Sequence, residues 1–281
     1  RRQRQMCIRD RCCSNESLSF PKKGVLKSCC LMLHDSLTVE EVVDSESALE
    51  FMKEATKLAT SADLEDLSER IARKAEFFGR MLEPEKLKQL TEDEFGLLVR
   101  QIFSIGRKSK RLISANGFEN LREQILNLLN GDEKLDERFD AFVNGVQGGE
   151  EKMRINFAGE LLHFSNPQQY WLWTNWIWDP DANTGSLPLV VQEEVDLLGD
   201  TPGETYLRVG QAMAKVRQAG QQQGFSNLGQ GTYGVDVFLA CVYAVYMYTV
   251  FRVKLSDEFN RILPNLPELT RRVLGVQKME C

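Results

Sequence analysis

Apolar residues recur along most of the chain at intervals of three and four. Leu64, Leu67, Ile71, Ala75 and Phe78 advance by 3, 4, 4 and 3, which lays one apolar stripe along a helix. Leu49, Met52, Ala55 and Ala59 do the same before it. Further stripes are Phe95, Leu98 and Ile102; Phe118, Leu121, Ile125 and Leu128; Leu135, Phe139 and Phe142; and Met153, Phe157, Leu161 and Phe164. Start signals fall between them. Ser47 with Glu50 and Thr91 with Glu94 have capping-box spacing, Ser61 can cap the helix that follows it, and Pro84 opens a short helix ending near Leu90. Stop signals are Asn116-Gly117, Asn130-Gly131 and Ser165-Asn166-Pro167.

The texture changes after residue 169. Residues 170–178 are aromatic and 179–188 are turn-rich. Thr201-Pro202-Gly203-Glu204 opens a helix predicted to run to about Gly220. Five glycines between 220 and 234 make a loop, and a long apolar helix is predicted over 235–253, followed by short Pro-punctuated helices. No stretch alternates in the manner of a strand, and no internal repeat is present. The pattern predicts an all-α protein, a compact multi-helix fold with a central apolar helix near 235–253. Residues 32–146 and 147–281 form two lobes or one continuous domain. Val237–Phe251 is free of charge, but its fifteen residues cover only about 22 Å against roughly 30 Å of hydrocarbon. Three tyrosines also interrupt it, so it reads as a buried core helix and not as a membrane span.

The chain has 281 residues, 42% hydrophobic and 27% charged, which excludes collagen-like, wholly disordered and disulfide-scaffold classes. Its two histidines, His34 and His163, exclude a histidine-rich metal centre and leave little for a histidine-based triad. Charge is uneven. Eight of the 35 Lys/Arg and two of the 41 Asp/Glu precede residue 32, so that segment carries +6 and the remainder −12. Five of the seven cysteines lie there too, but Cys12-Cys13 and Cys29-Cys30 are adjacent, a poor spacing for zinc. A basic tail for nucleic acid or an acidic membrane is another reading. Residues 1–11, RRQRQMCIRDR, resemble translated sequencing-adapter read-through. That resemblance implies that most of residues 1–31 are non-native or disordered, with Met32 as a natural start. The remaining cysteines, Cys241 and Cys281, point to a reducing compartment and a cytoplasmic location.

Several residues are candidates for chemistry. Tyr170, Trp171, Trp173, Trp176 and Trp178 hold all four tryptophans within eight positions; on a helix Trp171 and Trp178 would share one face. They read either as a plug between helices or as a stacking surface for a ligand. His163, on an apolar helix with Glu160 one turn before it, reads as a hydrogen-bonded core residue or as part of a pocket beside the tryptophans. Arg100, Arg107, Lys108, Lys110 and Arg111 form an acid-free basic stretch with serine donors nearby, able to contact phosphates, although the acidic body disfavours broad nucleic-acid affinity. Asp179, Asp181 and Asn183 start like a calcium loop, but Thr184 and Val190 stand where the glycine and the bidentate glutamate belong. Gly229-Gln230-Gly231-Thr232-Tyr233-Gly234 satisfies GxGxxG without a preceding strand, and Asp236 would repel an anion there.

One longer resemblance rests on Leu82-x-Pro84-Glu85-Lys86-Leu87-x-x-Leu90-Thr91-x-x-Glu94-Phe95 and Leu161-Leu162-His163-Phe164-x-x-Pro167-x-x-Tyr170. Residues 77–170 are similar in style to all-helical modules attached to DNA-handling restriction and ATPase proteins. No catalytic residue of those families maps here, and no Walker-type loop is present. The expected function is a non-enzymatic helical interaction or scaffold protein with a protein partner and no cofactor or metal. The alternatives are a nucleic-acid-associated module using residues 100–111, and a small-molecule binder or enzyme near His163 and the tryptophans.

Overall fold

In the computed structural model, residues 37–102, 104–223, 231–254 and 264–277 are described. The expectations about residues 1–31 lie outside them. The described residues form twelve α-helices and no strand: α1 (Val39–Val42), α2 (Ser45–Leu58), α3 (Ser61–Leu82), α4 (Pro84–Lys88), α5 (Glu92–Val99), α6 (Ser109–Asn116), α7 (Phe118–Asn130), α8 (Leu135–Gly145), α9 (Glu151–Ser165), α10 (Pro202–Gln223), α11 (Gly234–Lys254) and α12 (Leu266–Val273). The fold is all-α, as the periodicity predicts. None of these helices is long and apolar enough to cross a membrane.

Capping explains most boundaries. The Thr91–Glu94 box is present at α5, with the Glu94 amide donating to Thr91 and the Thr91 amide to Glu94. Gly117, at φ +73°, ends α6 in a conformation that favours glycine. Three expected starts are corrected. Helix α2 is capped by Asp44, which accepts from the Ser47 amide at 3.1 Å, so Ser47 lies inside the first turn and makes no box with Glu50. At α3 the cap is Thr60, in a box with Asp63, and Ser61 is the first helical residue. Thr201 caps α10, but Glu204 turns its carboxylate to the Asp200 amide, and the helix continues past Gly220 to Gln223.

The apolar stripes meet in one continuous core. Helix α3 packs on α9, α8 on α7 and α10, and α2 and α12 on α11, so helices from both sides of residue 147 interleave. Val235, Val237–Val242, Ala244 and Val245 are buried on every side of α11, whereas Tyr243, Tyr246 and Met247 are partly exposed. The fully buried, centre-of-fold character therefore belongs to the first half of that helix. Between α9 and α10 the chain forms no α-helix, only a 3-10 turn at Leu187–Leu189. This corrects the helical geometry considered for the tryptophans: residues 170–178 run as extended chain and turns across α9.

Gly79 sits in mid-α3, where an added Cβ would come no closer than 4.0 Å to the Ser165 carbonyl oxygen. Glycine there costs backbone entropy and gains no close approach. Gly79→Ala is expected to raise unfolding stability by about 0.5–1 kcal/mol in a urea titration.

Candidate functional site

The basic stretch is shaped by two buried isoleucines. Past Val99 the chain leaves α5 in turns closed by Gln101 N–H to Leu98 O, Gly106 N–H to Ile102 O and Lys108 N–H to Ile105 O. Ile102 and Ile105 are fully buried and pin this connection to the core, which leaves Lys108 and Lys110 after them exposed. The turn folds back so closely that a Cβ on Gly106 would lie 3.4 Å from the Arg100 carbonyl oxygen. Arg100, Lys108 and Lys110 thereby border the same space. From the other end of the chain, α12 buries Leu266 and Thr270 and presents Arg272 to the same place.

The result is an open cleft of about 880 Å³ lined by Arg100, Gln101, Ser104, Lys108, Ser109, Lys110, Arg272 and Gln277 among others, with no carboxylate among the described lining residues. Among the described residues Arg100, Lys108 and Lys110 have no ion-pair partner, and Arg272 is bonded to Glu268 one turn earlier on α12. Of the candidates in the stretch, Arg111 is exposed outside the lining, and the side chain of Arg107 lies outside the described residues. Arg272 carries no local sequence signal linking it to residues 100–110.

The aromatic segment divides. Trp173, Trp178 and Tyr170 are buried. Trp173 stacks on Phe139 with ring centroids 5.9 Å apart, and Phe139 stacks on Tyr206 at 4.7 Å, an aromatic column through α8 and α10. The Trp173 indole N–H donates to the Trp178 carbonyl at 3.1 Å, and the Tyr206 hydroxyl to the Trp171 carbonyl at 2.9 Å. Trp176 faces Tyr243 of α11 at 6.2 Å. Trp171 is partly exposed; it lies against Gly210, where a Cβ would come within 2.8 Å of its ring, and borders a groove of about 440 Å³ with Gln169, Gln211, Lys215 and Gln218.

His163 is 2% exposed and outside that groove. It belongs to a buried set of four ionisable residues. Lys74, on the apolar stripe of α3, reaches Glu160 of α9 at 2.7 Å and the Leu274 carbonyl at 3.0 Å, with its ammonium 4.1 Å from the Phe164 ring centre. His163 Nδ1 lies 2.9 Å from the Tyr170 carbonyl oxygen, and its Nε2 lies 3.3 Å from Asp236 of α11. Glu160 thus pairs with Lys74 and does not orient His163. Burial pushes the Lys74 ammonium below its ordinary range and the Glu160 carboxyl above its own; their mutual pairing opposes both shifts. Lys74 and Asp236 each carry a sequence signal, a lysine on a buried stripe and an acid opening an apolar run, but neither signal points to His163 or Glu160.

Both Asp179 oxygens lie 2.9 Å from Lys152 Nζ, and one accepts from the Asp181 and Ala182 amides, so a lysine occupies the place of a cation in that turn. Lys152 also meets Asp181 at 3.1 Å. Among the described residues no group of three His, Cys, Asp or Glu converges on a metal-sized space. Gly229 and Gln230 of the GxGxxG lie outside the described residues. Cys241 is buried, and burial pushes its thiol up to about 12, far from a reactive thiolate. No protein-family model, curated protein or solved structure matches the chain.

Proposed function

We propose that this chain is a non-enzymatic helical interaction module whose working surface is the basic cleft, and that its ligand is a nucleic-acid strand. One observation carries the reading: cations from segments about 160 residues apart line one cleft, and no carboxylate is among its described lining residues. Three of them lack an ion-pair partner among the described residues, so no described carboxylate must be displaced for them to meet phosphates. The likeness of residues 77–170 to modules of DNA-handling proteins points the same way. The net charge of −12 carried by residues 32–281 confines favourable potential to the cleft. Binding is therefore modest in affinity, fixed in orientation and strongly salt-dependent.

The test is a fluorescence-anisotropy titration of a labelled 20-nucleotide DNA strand at low salt. Arg100→Gln and Lys110→Gln, on exposed positions, are each expected to weaken binding several-fold and nearly equally across sequences, as phosphate contacts do. Binding that neither substitution alters, or no binding at all, contradicts the reading.

A second reading, a small-molecule site, is supported by the groove at Trp171, which offers an indole and three glutamine amides. A ligand bound there would change the fluorescence of wild type and lose that response in Trp171→Phe.

A further inference from the structure

His163 and Asp236 meet in a geometry that requires a proton. The Tyr170 carbonyl can only accept, so the nitrogen 2.9 Å from it, Nδ1, carries hydrogen. A neutral imidazole then turns a lone pair from Nε2 toward the Asp236 carboxylate 3.3 Å away. Two acceptors would face each other at full burial, with Asp236 0% and His163 2% exposed. Neither Asp236 oxygen has a hydrogen-bond partner among the described residues, so nothing else there compensates the carboxylate. One additional proton, shared between Nε2 and the carboxylate, turns this contact into a charge-assisted pair.

We infer that the His163–Asp236 pair is a proton-operated latch joining α9 to the first turn of α11, closed when the pair holds that proton and loosened when it is lost. Among the described residues the groups around it are few. Lys74 of α3 faces α9 from the other side but is already engaged by Glu160; Tyr233, just before α11, sits edge-on with its ring 6.4 Å from the imidazole. Tyr170 contributes its carbonyl, and the Leu274 carbonyl, just past the end of α12, accepts from Lys74. Burial alone would lower the basicity of His163, but Asp236 and the Tyr170 carbonyl outweigh it, and the imidazole titrates above 6.5. A histidine raised in the fold contributes stability that is complete below about 6.5 and is lost as pH rises through the folded titration point. The loosened part is the start of α11, where the Val237 amide donates to the Tyr233 carbonyl. The inference is independent of the cleft and of what binds there.

His34→Gln leaves His163 as the sole histidine, so its titration is read directly by NMR of the imidazole. The expected midpoint lies above 6.5; urea stability falls from about pH 6.5 up to that midpoint, and over the same range the Val237 amide loses hydrogen-exchange protection after correction for intrinsic rates. Asp236→Asn supplies an N–H to the neutral Nε2. In that variant the midpoint is expected below 6.5, with stability level across the range where wild type declines. A wild-type midpoint at or below 6.5 overturns the latch, as does an Asp236→Asn protein with the same decline. If Asp236→Asn does not fold, the wild-type midpoint and the pH course of Val237 exchange decide the matter.

Discussion

Lys74→Met is expected to lower the free energy of unfolding by about 3–5 kcal/mol, the usual cost of removing one member of a buried ion pair. The ammonium is fully buried, and its removal strands the Glu160 carboxylate in a core from which water is excluded. The Leu274 carbonyl also loses its donor, at a cost of about 1–3 kcal/mol when no replacement reaches it. Replacing both charges, in Lys74→Met with Glu160→Leu, removes the stranded charge and restores apolar volume, so most of the loss is recovered. A double-mutant cycle in urea measures this directly. If the double variant is less stable than Lys74→Met by the full cost of Glu160→Leu alone, the two residues are not coupled and the cluster does not hold α3 to α9.

Gly159→Ala carries the second large effect. Residues 170–178 cross α9 so closely that a Cβ at position 159 would lie 2.1 Å from the Trp173 carbonyl oxygen and 3.1 Å from its carbonyl carbon. The obstacle is backbone, which is held there by the Asn175 amide on Asn156 and by the stack of Trp173 on Phe139. The crossing must lift from the helix, at a cost of about 1–3 kcal/mol or more. The near-ultraviolet circular dichroism of the tryptophans weakens with it as the aromatic column loosens. The same substitution at Gly79 has the opposite sign, so the pair separates the effect of the crossing from that of helix propensity. A Gly159→Ala protein as stable as wild type would mean that the 170–178 segment does not lie on α9.

What was legible in the sequence was local. Stripes at three and four and caps at fixed offsets act within one or two turns, so α3, α5 and α7–α9 are recognisable from their own residues. The start of α2 shows the limit of such signals. Asp44 and Ser47 stand three apart and both suit a cap, and Ser47 ends by donating its hydroxyl to Asp44 at 2.5 Å. The 170–178 segment misleads because tryptophan spacing alone does not distinguish a helix from extended chain when the determining contact is a glycine on another helix. The site has the same division. Arg100, Lys108 and Lys110 are adjacent in sequence and visible as a patch, whereas Arg272 arrives through the packing of α12 beside α3 and α11. Lys74 finds Glu160 86 residues away and Leu274 200 residues away, separations over which no spacing rule operates.

The salt dependence of strand binding tests the central claim most directly. Each phosphate contact on a single strand contributes about −0.7 to the slope of log Kobs against log salt. With Arg100, Lys108, Lys110 and Arg272 each meeting one phosphate, the slope of the wild-type protein is expected to be about −3, and that of the Arg100→Gln/Lys110→Gln protein about 1.4 shallower. Equal slopes in the two proteins, or no binding by wild type at low salt, would contradict the assignment of the cleft as a nucleic-acid surface.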